Sequence, residues 1–367
     1  MSAPPKEQDP RHREGALSRR RVLKALSALP LLTVSSACGQ LPLPALSRRS
    51  DATGRAALLL PLSGTSDSLG QSLQNAATLG GGPGIGIDII DSGSTPETAV
   101  MAAQQAVNAG AKIIVGPVFA AQAKAVAQAV RVPVVTLSND ETLAQPKTFV
   151  FGVTAAQSAR AVLSIAAQRN IKTIVTVAPP GPFGQASADA ATSIGTLLGL
   201  TMRPAIIQSN SDNLIKALSQ NGTLPDAVYL PVADATLVPF ANTLRGKNIQ
   251  LLGSTQWAAL DLTRQRAFQN AWFAAPDPVR FAAFDDAFTT ATGQPGGIIT
   301  GLAFDGVDLL RRLNQTRTLS LAGLTRPQGF TGVLGPYRFR KSGICDRALG
   351  VLSVTNQEFN LIGSTAL

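Results

Sequence analysis

Between residues 56 and 137 the chain alternates short aliphatic or β-branched runs with longer Ala-rich segments of helical character. The run 56–60 precedes a helix over 70–79, and the run 85–90 precedes a helix over 96–109. Runs at 112–115 and 132–137 flank a helix over 120–130. Continuous apolar runs, each followed by a helix, predict parallel strands covered on both faces.

The pattern restarts at 149–153. Helices are expected over 156–169, 183–198, 212–220 and 234–244, separated by strands at 173–177, 202–207, 227–230 and 250–252. A strand at 271–274 leads to helices over 279–291 and 298–313. The segment 330–362 reads as strands, with turns at 341–343 and 356–357. Two βα series and a return segment imply two sheets, with the chain crossing between them more than once. The expected fold class is therefore α/β, built as two Rossmann-like lobes with parallel sheets joined by crossing strands.

The N-terminus has a different character. Ser18-Arg19-Arg20-Arg21-Val22-Leu23-Lys24 stands directly before the apolar run 25–34, which Pro30 interrupts, and Ser35-Ser36-Ala37-Cys38 follows. The first motif resembles the twin-arginine export signal, with Arg19 and Arg20 as its pair. The second resembles a bacterial lipobox, which implies a lipid on Cys38, although Ser35 stands where such motifs usually carry Leu. An apolar run of that length is too short to span a bilayer, which needs about 20 residues, and it fits a removable signal. Residues 1–37 are read as signal peptide and 38–55 as a tether. Lobe 1 is assigned to 56–152 and 275–335, and lobe 2 to 153–274 and 336–367.

Composition narrows the function. Of 367 residues 45% are hydrophobic, enough for large cores. The net charge of +10 invites a nucleic-acid reading. Much of that charge lies in residues 1–37, however, where seven basic residues face three acidic ones. The remaining Lys and Arg are scattered and aromatics make up 5%, so no stacking platform lies beside a basic groove and no nucleic acid is expected as partner. The single histidine, His12, falls within the signal segment. A mature chain without it runs no Ser-His-Asp or Cys-His mechanism and builds no usual zinc site. Neither cofactor nor metal is expected, and no enzyme.

Other motifs add no chemistry. The glycine-rich run 80–86 follows a helix and opens a strand, the reverse of a phosphate loop, and reads as a turn. No serine has a lysine three residues later, and no Gly-x-Ser-x-Gly occurs. Asp285 and Asp286 are adjacent on a helix, about 100° apart, which reads as a solvated face. Cys345 lies in an expected turn and reads as inert.

The residues 58–64 (LLLPLSG), 91–96 (DSGSTP), 110–117 (GAKIIVGP), 132–138 (VPVVTLS), Phe183-Gly184, 303–307 (AFDGV) and 330–335 (FTGVLG) resemble, in order and spacing, the Leu/Ile/Val-binding type of periplasmic binding protein. The resemblance runs over 56–363. It implies two lobes joined by three crossing strands, with a ligand cleft between them. General physics places the cleft beyond the carboxyl ends of the strands. The candidate cleft residues are Ser63, Phe119, Ala120, Ser138, Asp140, Phe183, Asp234, Gln256 and Trp257, although helix capping suits Asp234 and simple packing suits Trp257 equally well.

Within that resemblance, amino-acid carriers tend to place hydroxyl residues where this chain has Ala120 and Asp140, and Tyr where it has Phe183. Asp140 is expected to repel a substrate carboxylate. Ser138-Asn139-Asp140 with Phe149-Val150-Phe151-Gly152 instead resembles the penicillin-binding protein activators, lipoproteins of this fold that stimulate peptidoglycan synthases. That resemblance implies a periplasmic, membrane-anchored lipoprotein that regulates a penicillin-binding protein. The alternative is the substrate-binding component of an amino-acid ABC importer, with an ABC permease as partner and a small molecule in the cleft.

Overall fold

A computed structural model describes residues 54–81, 86–355 and 358–367 of the chain. The export motif at Arg19 and Arg20, Cys38, most of the tether, the centre of the glycine-rich run and the turn at 356–357 lie outside the described residues.

The first sheet comprises β1 (Arg55–Leu60), β2 (Ile87–Asp91), β3 (Ala111–Val115), β4 (Val134–Thr136) and β5 (Thr148–Val150), all parallel, in the order β2-β1-β3-β4-β5. Alternation within β1 explains why its whole apolar run is buried. Ala56, Leu58 and Leu60 face one core, while Ala57 and Leu59 face another. The second of these is covered by α2 (Pro96–Asn108) and α3 (Ala120–Ala129), which follow α1 (Asp67–Leu79) in the chain.

The chain then leaves this lobe through 151–154. The side chain of Thr154 accepts the N–H of Gln157 at 3.2 Å and so starts α4 (Ala155–Gln168) directly after the crossing. The second sheet takes β6 (Thr173–Ala178), β7 (Thr201–Met202), β8 (Ile206–Ile207), β9 (Ala227–Leu230), β10 (Gln250–Gly253) and β11 (Trp272–Ala275). The strand expected over 202–207 is broken into β7 and β8, which pair with β6 at separate places. Pro204 lies between them, and a proline cannot supply the ladder N–H. Here α4 and α5 (Pro182–Leu197) pack together, while α6 (Leu214–Leu218) and α7 (Leu237–Leu244) contribute to a separate core. The helix expected over 212–220 is shorter because Asn213 sits in the left-handed region at φ 54°.

At 276–277 the chain crosses back. Asp277 Oδ1 accepts the N–H groups of Val279 and Arg280 at 2.9 and 3.3 Å and starts α8 (Pro278–Thr292), with Pro278 at the first helical position. After it, α9 (Ile298–Gln315) packs on α1 over the first sheet, and the short α10 (Leu321–Leu324) follows.

The third sheet is antiparallel: β12 (Phe330–Gly332), β13 (Gly335–Phe339) and β14 (Cys345–Arg347). It stays beside the first lobe, since Ile344 bridges Val150 and Phe339 packs on Phe149 with ring centroids 5.3 Å apart. The chain enters the second sheet only with β15 (Gly350–Thr355), antiparallel to β11, and β16 (Glu358–Ser364) forms the edge. The last crossing therefore falls at 348–349, later in the chain than the 335/336 boundary read from the sequence. Cys345, expected in a turn, is a buried strand residue.

Candidate functional site

The strands of both sheets end toward the space between the lobes, and a cavity of about 930 Å³ lies there. Its first-lobe wall includes Val118, Leu137, Ser138, Asn139 and Gly152. Its second-lobe wall includes Phe183, Ala233, Thr255, Gln256, Leu260, Phe273, Leu352 and Phe359. The chain returning through α8 and α9 adds Phe281, Asp285, Gly296, Gly297, Ile298 and Leu302.

Of the residues expected at a cleft, Ser138, Phe183 and Gln256 border this cavity. Ser138 is fixed by a local network. Its N–H donates to Thr136 Oγ1 at 3.1 Å, its Oγ accepts the N–H of Asp140 at 3.2 Å, and its carbonyl oxygen accepts the N–H of Gly152 at 3.1 Å. A Cβ on Gly152 would lie 2.3 Å from that carbonyl oxygen, so the two loops approach this closely only with glycine at 152. Across the cavity, Gln256 Oε1 accepts the N–H of Ala233 at 2.9 Å, and Thr255 Oγ1 sits 3.0 Å from Ser158 Oγ.

The other expected residues lie off the cavity wall, each for a local reason. Asp140 Oδ1 accepts both the N–H and the hydroxyl of Thr142, at 3.0 and 2.7 Å, so the carboxylate closes its own turn. Asp140 is therefore committed to its own turn and lies off the cavity wall. Asp234 does the same for Thr236, at 2.8 and 2.6 Å, in a turn before α7. Ser63 is exposed just past the end of β1, next to Leu62, whose N–H donates to Asp91 Oδ1 at 2.9 Å. Phe119 is the half-exposed residue before α3, and Ala120 opens that helix. Trp257 is fully buried: its indole N–H donates to the Leu230 carbonyl at 2.9 Å, and its rings pack on Phe268. It belongs to the core of the second lobe.

Sequence reading missed the contribution of 273–302 and of the last two strands. Asp285, expected on a solvated face, is half-buried. Its Oδ1 accepts the N–H of Gly296 at 2.6 Å, which ties α8 to the start of α9 at the cavity wall. The signal available was Pro295-Gly296-Gly297 directly before a helix, small residues where backbone comes close to something else. Phe273 and Phe359 meet edge to face, with centroids 5.3 Å apart, across a sequence gap that no local pattern spans.

Among the described residues, Asp285 is the one ionisable side chain on the wall, and no Lys, Arg or His borders the cavity. Among the described residues, no group of three or more His, Cys, Asp or Glu side chains is placed to hold a metal ion. The arrangement can enclose a small, mainly apolar molecule and offer it a few amide and hydroxyl groups with one carboxylate.

A second charged group lies at the crossings. Asp305 is buried on α9 and accepts the N–H groups of Val333 and Leu334 at 2.7 and 3.3 Å, with Arg347 Nη1 3.8 Å away. Burial pushes its carboxyl up to about 6, partly offset by Arg347 and those two N–H groups. The Cys345 thiol is likewise pushed up to about 12, chiefly by burial, so it stays protonated.

A family model described as periplasmic binding protein matches residues 53–357. Among curated proteins no sequence match was found. Several solved structures share the fold. A putative branched-chain amino acid ABC transporter protein from Rhodospirillum rubrum is 20% identical, with a TM-score of 0.73 over 84% of this chain and 99% of that one. A leucine-binding protein from Thermotoga maritima is 18% identical, with a TM-score of 0.58 over 85% and 98%. A solute-binding protein of an ABC transporter from R. palustris, solved with benzoate, is 16% identical, with a TM-score of 0.60 over 84% and 95%. At these identities the likeness establishes the two-lobed fold.

Proposed function

Since the chain belongs to the periplasmic binding protein family, we propose that it is the solute-binding component of an ABC importer, with a small, mainly apolar ligand in the interlobe cavity. The observation that carries this reading is the cavity itself, about 930 Å³ between strand ends of both lobes and walled by aromatic and aliphatic side chains. A ligand burying about 200 Å² of apolar surface there gains roughly 5 kcal/mol at about 25 cal/mol per Å². Part of that gain is lost to the entropy of association. Residues of both lobes and of the returning helices border the ligand, so binding favours a closed arrangement of the lobes. A permease is then the partner that distinguishes the loaded form.

The activator reading has less to rest on. Phe149 and Phe151, which carried that resemblance, are buried against Phe339, and Asp140 closes a turn. Phe149 and Phe151 therefore serve the core of the first lobe, and only Asn139 and Asp140 of that resemblance reach the surface. Nothing in the proposed role requires catalysis, and binding alone suffices. Export through Arg19 and Arg20 and anchoring through a lipid on Cys38 complete the proposal, and place the protein on the periplasmic face of a membrane near its permease.

The test is a thermal-shift screen of the full chain with small apolar solutes, run beside Ala258→Trp. Ala258 is an exposed residue on the cavity wall, and the larger side chain narrows the cavity without replacing a core residue. Solutes that stabilise the wild-type protein and not the variant support the reading. Equal response, or none, removes it.

A further inference from the structure

Among the described residues the cavity wall carries one charge, and it is negative. Among those residues Asp285 takes part in no ion pair. Its Oδ1 is held by the Gly296 N–H at 2.6 Å, which fixes the group in place, and no donor to Oδ2 is found among the described residues. Aromatic side chains border the same cavity, Phe281 from the helix that carries Asp285 and Phe183, Phe273 and Phe359 from the second lobe. Aromatic faces attract cations, and a carboxylate in a partly dry site does so more strongly.

An anion meets the opposite conditions. Among the described residues, no guanidinium, ammonium or imidazole borders the cavity to neutralise it. The start of α9 does border it, and a helix N-terminus favours negative charge. That end is already complemented, because the Asp285 carboxylate sits on the N–H of Gly296, two residues before the helix begins. A ligand carboxylate at the same place would face Asp285 at close range.

Resting on the proposed ligand-binding role of this cavity, we infer that its solute is an apolar molecule bearing a single ammonium group and no carboxylate, with Asp285 as the residue that selects the charge. Zwitterionic amino acids and aromatic acids are disfavoured because half or all of their charge has no partner on this wall. Gln256 and Ser138 remain as neutral groups that orient the ligand and set no charge preference.

The experiment is calorimetry on the full chain with three probes of matched length: 2-phenylethylamine, 2-phenylethanol and 3-phenylpropionate. The amine is expected to bind about tenfold or more tightly than the acid, with the alcohol between them. Asp285→Asn keeps the Oδ1 acceptor for Gly296 and removes the charge. It should lower amine affinity about tenfold and leave the alcohol within about twofold. A circular-dichroism melt of the variant establishes that it is folded. In the wild-type protein, raising salt should weaken the amine alone. Tighter binding of the acid, or amine binding that Asp285→Asn leaves unchanged, overturns the inference. If the alcohol binds and the amine does no better, the charge selection fails while the ligand-binding role stands. If none of the three binds, both fail together.

Discussion

Arg347 lies over the ring of Phe151, with its guanidinium carbon 4.7 Å from the ring centroid, and its Nη2 donates to the Phe151 carbonyl oxygen at 3.0 Å. Phe151 stands in the first crossing between the lobes, and Arg347 ends β14 just before the third. The arginine side chain is fully buried and is also packed over Tyr337, so one residue ties two of the three connections to the aromatic cluster of the first lobe. Asp305, 3.8 Å away, is its counter-charge.

Removing the arginine should therefore be costly. Arg347→Met keeps the apolar stem but leaves the buried Asp305 carboxylate with two N–H donors and no counter-charge, at a cost of about 3–5 kcal/mol. Urea unfolding should register that loss as a lower midpoint. Arg347→Lys should recover little, because an ammonium does not stack on two rings as the guanidinium does on Phe151 and Tyr337. Adding Asp305→Asn to Arg347→Met should restore part of the loss. A double variant no better than the single would mean that the pair is not coupled.

Asp305 also sets a pH dependence. Its folded value, raised to about 6, lies above its unfolded value of 3.8, so between the two the folded state binds more protons. Its contribution to stability is greatest near pH 4 and falls as pH rises through 6. The stability of the wild-type protein relative to Asp305→Asn should accordingly decline over that window and level off above it. A flat difference from pH 4 to 7, measured by urea titration at each pH, would contradict the assignment.

Trp257 is expected to matter for stability and not for ligand. Trp257→Phe loses the hydrogen bond to the Leu230 carbonyl and leaves a gap above Gly253, whose added Cβ would lie 2.2 Å from the indole. A loss of about 1–3 kcal/mol is expected. Affinity for any ligand of the wild-type protein should stay within about twofold. A larger change in affinity would place the indole nearer the site than its burial allows.

Gly152→Ala should affect both properties. The added methyl meets the Ser138 carbonyl oxygen at 2.3 Å and must push the first crossing away from the loop after β4. Stability should fall by about 1–3 kcal/mol. Because Gly152 and Ser138 both border the cavity, ligand affinity should fall as well. An alanine variant that binds as tightly as wild type would show that this wall can move freely.

The proposed anchor has its own test. Cys38→Ala should move the protein from the membrane to the soluble fraction, and lysines in place of Arg19 and Arg20 should leave the precursor in the cytoplasm. Membrane partitioning of Cys38→Ala equal to wild type would remove the lipid from the account.

The sequence alone determined the order of strands and helices and the two-lobed class, because burial on both faces of a parallel strand leaves a continuous apolar run that can be read locally. It also pointed to Ser138, Phe183 and Gln256, which border the interlobe cavity, since all three follow strand ends. Only the tertiary structure decided the rest of the wall. A tryptophan after a strand fits a cleft or a core equally well, and Trp257 went to the core when Phe268 and Phe273 closed over it. An aspartate on a half-polar helix face meets water unless another segment arrives, and Asp285 became part of the cavity because Gly296 returned to its Oδ1. The same holds for the last crossing. Nothing local in 336–347 tells which lobe its alternating residues will cover, and the Phe149, Phe151 and Tyr337 rings settled it by packing together with Phe339. Periodicity is a property of neighbours in the chain, whereas a wall built from residues more than a hundred positions apart is fixed by which surfaces exclude water together.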